Sequence, residues 1–174
     1  MSKDEQLHPR AAAVAAVLAV AAPGARVRQL EASTRTAVEA AAALGCEVGA
    51  IANSLVFVGD DGPLLVLASG AHRVDLALLA TASGSCGLRR ATPEEVRNFT
   101  GQAIGGVAPV GHPTRLRTVV DEDLRRHRPV WAAAGIPHSV FETSFEQLVE
   151  ITGGTAARIA TDPAGSAGYA GPTG

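Results

Sequence analysis

Aromatic side chains are scarce, with Phe, Trp and Tyr together making up 3% of 174 residues. Serial stacking of bases on aromatic rings is therefore excluded as a main mode of nucleic-acid binding. Lysine is scarcer still: Lys3 stands alone against fourteen arginines, which excludes Schiff-base chemistry anywhere beyond the N-terminal arm. Two cysteines, Cys46 and Cys86, lie far apart without CxxC or His-rich spacing. That argues against structural zinc and for two free, buried thiols in a reducing compartment, although the sequence leaves a bridge between them open. Neither sign of charge dominates. The formal net charge is −2 at pH 7, so the whole molecule offers no attraction to DNA, and any RNA contact must come from a local patch. Long apolar runs are missing too: residues 11–22 form the longest, twelve residues, too short to cross a bilayer. As a signal-peptide core it would lack net positive charge, because Asp4 and Glu5 offset Lys3 and Arg10. It reads as an alanine-rich helix, and the expected location is cytoplasmic.

Hydrophobic residues make up 47% of the chain and charged residues 18%, the balance of an ordinary globular domain. A chain of this length buries about 70% of its unfolded surface and needs no disulfide or metal to fold. Punctuation along the chain predicts the elements. A first helix ends at Ala22-Pro23-Gly24. A second, capped by Ser33 or Thr34, runs to Leu44 and stops at Gly45. Strands over residues 49–58 and 64–68 flank Gly59-Asp60-Asp61-Gly62-Pro63, a hairpin by composition. A helix over 74–82 and a strand over 86–91 follow. Thr92-Pro93-Glu94-Glu95 is a helix start, with Thr92 as cap and Glu95 completing a capping box. Further strands are expected near 116–120, 130–134, 139–142 and 155–160, with a helix capped by Ser144 and Gln147. Strands and helices alternate irregularly, which predicts an α+β fold: a mixed, largely antiparallel sheet or barrel with helices outside. We divide the chain into an N-terminal helix and linker (1–32), a main domain (33–160) and a disordered tail (161–174).

Residues 105–113, GGVAPVGHP, are the most informative segment. Glycines admit close backbone approach and leave amides free, while prolines fix the loop, as an oxyanion-binding site requires. The same composition suits a tight helix-to-strand connection. Asn53-Ser54 interrupts the apolar strand IANSLVF, with Ile51, Asn53 and Leu55 on one face and Ala52, Ser54 and Val56 on the other. Asn53 is suited either to a ligand or to a buried backbone group. His72 reads as a solvated loop residue and Asp75 as a helix cap. Arg73, Arg89 and Arg90 are candidate phosphate contacts, and the cluster Arg125-Arg126-His127-Arg128 is explained by helix-dipole complementation or by an RNA backbone. Signals for serine-triad, P-loop, Rossmann and metalloprotease chemistry are absent, so no cofactor or metal is expected.

Taken in order, IANSLVF, LLVLASGAHRVD, LRRATPEEV, GGVAPVGHP, VVDEDL and VWAAAGIPHSVF resemble the YbaK/prolyl-tRNA-synthetase-associated editing domains over residues 34–160. The resemblance implies a mixed, barrel-like sheet wrapped by helices and a trans-acting hydrolase of mischarged aminoacyl-tRNA, with a synthetase as a possible partner. It implies that the family's Gly-x-x-x-Pro loop is here Gly105-Gly106-Val107-Ala108-Pro109, binding the substrate carbonyl and terminal ribose. Gly105, Gly106 and Asn53 are then the catalytic candidates, and Thr36, Ser54, Val107, Pro109 and Asp121 the substrate-binding ones. Thr36 is assigned to a small acyl pocket, and Asp121 either lines the cleft or caps a helix. The family's strand reads Lys-Ser-Leu-Val-Phe, and Asn53 stands in the lysine's place. Loss of such a charged contact costs about 1.5–3 kcal/mol, one to two decades in rate. The alternative is a module that binds tRNA, a synthetase or a small acyl ligand without turnover. Oligomeric state is not legible.

Overall fold

The computed structural model describes residues 6–31, 34 and 36–161. In chain order the elements are α1 (Pro9–Ala21), β1 (Val27–Gln29), α2 (Ala37–Leu44), β2 (Ile51–Gly59), β3 (Gly62–Ser69), α3 (Leu76–Ser83) and β4 (Arg89–Arg90). They continue with α4 (Pro93–Thr100), β5 (Arg117–Asp121), β6 (Val130–Ala133), β7 (Ser139–Thr143), α5 (Phe145–Thr152) and β8 (Thr155–Ala157). The strands form one sheet in the order β1-β7-β6-β2-β3-β5-β8, with β4 also paired to β2. Four ladders are antiparallel and three parallel, the expected mixed α+β architecture.

Helix ends follow local chemistry. Thr92 and Glu95 form the predicted capping box, Asp75 caps α3 and Ser144 caps α5. The cap of α2 is Thr36, which with Glu39 makes a second capping box. It is neither Ser33, which lies outside the described residues, nor Thr34, whose hydroxyl donates instead to the Pro137 carbonyl. The strand expected over 86–91 shrinks to two residues because Gly87, at φ +65°, turns the chain just before it. The one expected over 155–160 stops at Ala157, because β5 gives it only Val119–Asp121 to pair with. Cys46 and Cys86 are free, and Cys86 is exposed at that glycine turn, not buried as expected. Apart from Thr161, the expected tail lies outside the described residues.

Alternation along β2 sorts the core into two sides. Ala52 and Val56 join Leu65, Leu67, Val120, Ala132 and Phe141 on the side that α1 and α5 cover through Val14, Leu18 and Leu148. On the opposite side, α2 covers Ile51, Trp131 and Val140, while α3 covers Phe57, Val66 and Ala68. Asn53 lies between those two patches and is exposed. Residues of α1 and β1 are integral to this packing: Val14 and Leu18 are buried in the main core, and β1 extends the sheet through β7.

Candidate active site

One edge of β2 is paired along its length with β3. The other edge is shared. There β6 pairs only with Ile51 and Ala52, and β4 only with Phe57 and Val58. The sheet is therefore open at Asn53, Ser54 and Leu55. A cleft occupies this opening, lined by Thr34, Thr36, Asn53, Ser54, Gly105, Val107, Trp131 and Pro137, with Ala37, Ala40, Ala133 and Val140 among its small apolar walls. None of the described residues that line it is charged.

Polar atoms at the opening lack partners. The Ser54 hydroxyl is buried without a hydrogen bond to any described residue, a costly arrangement for a group that is not awaiting water or ligand. Asn53 is exposed, and no described residue hydrogen-bonds its side chain. Of the two uses the sequence leaves open for Asn53, pairing with a buried backbone group is made with no described residue.

The glycine-proline loop enters the cleft from the far side, and its amides divide. The Gly106 N–H donates to the Ala103 carbonyl (3.0 Å), and the Ala108 N–H to Gln102 Oε1 (2.7 Å). Pro109 has no N–H. The Gly105 and Val107 amides make no hydrogen bond to a described residue, and both residues line the cleft. The unpaired loop amides at the cleft are thus those of Gly105 and Val107, while the amide of Gly106, a residue expected to be catalytic, is used within the loop. The Gly106 carbonyl accepts from the Gly135 N–H (2.8 Å), and a Cβ there would meet Ile136 backbone atoms at 2.5 Å. Gly105 itself adopts φ +90°, a conformation glycine alone takes without strain.

Other expected site residues fall elsewhere. Pro109 lines a second depression, with Val17, His112 and Arg115. Asp121 is 1% exposed and away from the cleft. It caps the turn Glu122–Arg126 by accepting from the Asp123 N–H, and it also accepts from the Ser69 N–H, so the capping role is the one realised. Arg89 is held by two 2.8 Å bonds to Glu95, and Arg90 lies over Phe57, both at the far end of β2. Arg73 is exposed on the loop before α3.

His72 is not solvated. Its Nδ1 lies 2.9 Å from Asp121 and its Nε2 3.0 Å from Asp123, with the side chain 5% exposed. Among the described residues this is the one grouping with metal-ligand chemistry. The carboxylates, however, engage opposite ring nitrogens, so the trio is a side-chain clamp behind the Ser69 turn. Of the basic cluster, Arg126 pairs with Asp123, Arg128 with Glu146, and Arg125 stacks on Phe145.

Residues 31–151 match the family model of the aminoacyl-tRNA editing domain. The chain belongs to this family. It is 32% identical over 127 residues to the uncharacterised protein YwhH of Bacillus subtilis (strain 168), covering 72% of this chain and 80% of YwhH. It is 30% identical to EbsC of Enterococcus faecalis, described as a candidate Cys-tRNA(Pro)/Cys-tRNA(Cys) deacylase, over 70% of this chain and 74% of that one. A stretch of 92 residues is 34% identical to part of the proline–tRNA ligase of Ligilactobacillus salivarius, covering 53% of this chain and 16% of the ligase. A solved structure described as a candidate trans-editing enzyme for prolyl-tRNA synthetase is 47% identical with a TM-score of 0.85, covering 90% of this chain and all of that one. Among the described residues, no helix of this editing domain is long and apolar enough to cross a membrane.

Sequence reasoning missed Thr34, Trp131, Pro137 and Val140 as cleft walls. Thr34 stood out only as a possible helix cap, and Trp131, Pro137 and Val140 lie in the VWAAA and GIPHSVF segments, where nothing sets an apolar wall residue apart from an apolar core residue.

Proposed function

We propose that this editing domain acts in trans as a deacylase, hydrolysing the ester that joins a wrong, small amino acid to the 3′ ribose of a tRNA. The observation that carries the reading is the meeting, across a break in the sheet, of two unpaired loop amides with Asn53 and the orphaned Ser54 hydroxyl. The Gly105 and Val107 amides would hold the ester carbonyl and strengthen their hold as its oxygen gains negative charge. One such donor is worth about 10²–10³ in rate. Asn53 and Ser54 would bind the ribose or the attacking water as neutral hydrogen-bonding groups. Thr36, Ala37 and Ala40 form the wall against which a small acyl side chain fits.

None of the described lining residues is an acid or base that titrates near neutral pH. The balance of the step is then simple. Water adds to the carbonyl carbon, the bond to the ribose oxygen breaks, and that oxygen leaves with a proton delivered through the substrate's neighbouring hydroxyl. Asn53 in the place of the family lysine favours one second reading: a cleft that holds the aminoacyl end without turning it over. Loss of ester from alanyl- and cysteinyl-tRNA of the proline isoacceptor separates the two. Turnover that Gly105→Val abolishes in a folded protein supports the deacylase. Retention of the charged tRNA without ester loss supports the binding module.

A further inference from the structure

No described residue that lines the cleft is charged, yet a tRNA end arrives as a chain of phosphates. Cations on the rim would meet them, and the described arginines differ in their freedom to serve. Arg89, Arg117, Arg126 and Arg128 are tied to carboxylates. Arg10, Arg26, Arg73 and Arg97 are exposed and, like Arg28, pair with no carboxylate among the described residues. Arg28 is set apart by its place: its guanidinium carbon lies 5.3 Å from the centre of the ring of Trp131, a cleft wall.

Strand register explains why Arg28 belongs to this cleft. It lies opposite Val140 on β7, which lies opposite Ala133 on β6. Directly opposed residues share a face of a sheet, as do alternate residues of one strand. Arg28 therefore stands on the face that carries Val140, Ala133 and Trp131, all cleft walls, and the face continues through Ile51 to Asn53. Three inter-strand steps separate β1 from β2, about 14 Å. At that spacing Arg28 lies beside the polynucleotide that trails away from a ribose held at Asn53, not beside the ribose. Stacking on Trp131 restricts the guanidinium while leaving its N–H edge available to a phosphate.

We infer that Arg28, pre-oriented on Trp131, is the positioning residue that grips a phosphate of the tRNA 3′ end. It supplies from the rim the positive charge that Asn53 does not supply within. This inference rests on the deacylase reading for its ligand, but its test does not need turnover.

The probe is tRNA carrying alanine through a non-hydrolysable 3′-amide, with binding measured between 50 and 200 mM salt. Arg28→Ala should weaken binding about tenfold at the low-salt end and reduce the slope of log affinity against log salt by about 0.7–1. Arg28→Lys should keep the slope, and Arg97→Ala, on α4, should change nothing. With hydrolysable substrates, Arg28→Ala should raise KM for alanyl-tRNA while leaving kcat/KM for alanyl-adenosine, which has no phosphate, at the wild-type value. An unchanged salt slope overturns the inference. So does an equal loss on both substrates, which would make Arg28 a mere support for Trp131, and so does failure of wild-type protein to bind the amide probe. Absence of hydrolysis by wild-type protein overturns the deacylase reading alone, because the salt slope still decides the role of Arg28.

Discussion

Replacing Gly106 by alanine tests whether the loop is held in place from behind. The added Cβ would lie 2.5 Å from the Ile136 Cα and carbonyl carbon and 2.8 Å from the Pro137 nitrogen. All three are backbone atoms and cannot rotate aside. Ordinary carbon contacts lie near 3.5–4 Å, so the loop and the 136–137 segment must part by about 1 Å. Overpacking of this kind costs about 1–3 kcal/mol, which for a chain of this size lowers the melting temperature by about 2–12 °C. The same displacement moves the Gly105 and Val107 amides away from the position of the ester carbonyl. Misplacement by 1 Å costs about 10²-fold in rate. Deacylation of alanyl-tRNA, measured well below the melting temperature, should therefore fall about 100-fold with the protein still folded. Gly84→Ala is the comparison: that residue has φ +70° but open space around its Cβ, so it should lose about 1 kcal/mol of stability and no activity. The bracing argument is refuted if Gly106→Ala keeps both wild-type stability and wild-type rate.

Asn53→Lys should raise kcat/KM for aminoacyl-tRNA about tenfold and steepen its salt dependence, since a charged contact is worth about 1.5–3 kcal/mol; a fall in rate would show that the cleft is built for a neutral residue. Asp121→Asn should destabilise the protein by about 1–3 kcal/mol in urea unfolding, because it weakens the bonds that the buried carboxylate accepts from the Ser69 and Asp123 amides and shares with His72. An unchanged unfolding midpoint would sink the clamp. Burial pushes the His112 imidazole below its ordinary pKa, with only its bond to the Ala108 carbonyl opposing. The unfolded chain then binds that proton more tightly than the fold does. Stability from this group is present above about pH 6.5 and is lost as pH falls through the depressed value. Melting temperatures from pH 8 to pH 5 should fall less steeply in His112→Gln than in wild-type protein, and parallel curves would contradict the assignment.

Local chemistry was legible in the sequence, and long-range register was not. Asn53 and Ser54 stood out because polar side chains inside an apolar strand need a reason, and the loop because glycine and proline alternate there. Thr92, Asp75 and Ser144 announced their helices through side chains that satisfy amides two or three residues away. Asp121 was ambiguous because a carboxylate before a short turn suits a cap and a cleft alike, and only its bond to Ser69, 52 residues away, decides between them. Trp131 and Val140 are apolar residues in apolar strands. They reach the site only because β6 meets β2 at two residues and then leaves. Which loop amides stay unpaired depends on Ala103, which takes the Gly106 amide, and Gln102, which takes that of Ala108, bonds made only by the folded loop.

The chain leaving β6 and the glycine-proline loop are held together by backbone contacts. After Ala133 the chain turns at Gly135, φ +100°, where a side chain would collide with the Arg10 carbonyl of α1 at 3.0 Å. The Gly135 N–H is bound by the Gly106 carbonyl (2.8 Å), and Gly106 in turn packs against Ile136 and Pro137. One contact thus ties the chain leaving β6 to the loop that carries the Gly105 and Val107 amides. The two are set relative to each other by backbone, with α1 packed behind them. On the proposed deacylase reading, with no charged wall among the described residues, such preorganised dipoles would stabilise a developing oxyanion, because they need no reorganisation when the charge appears.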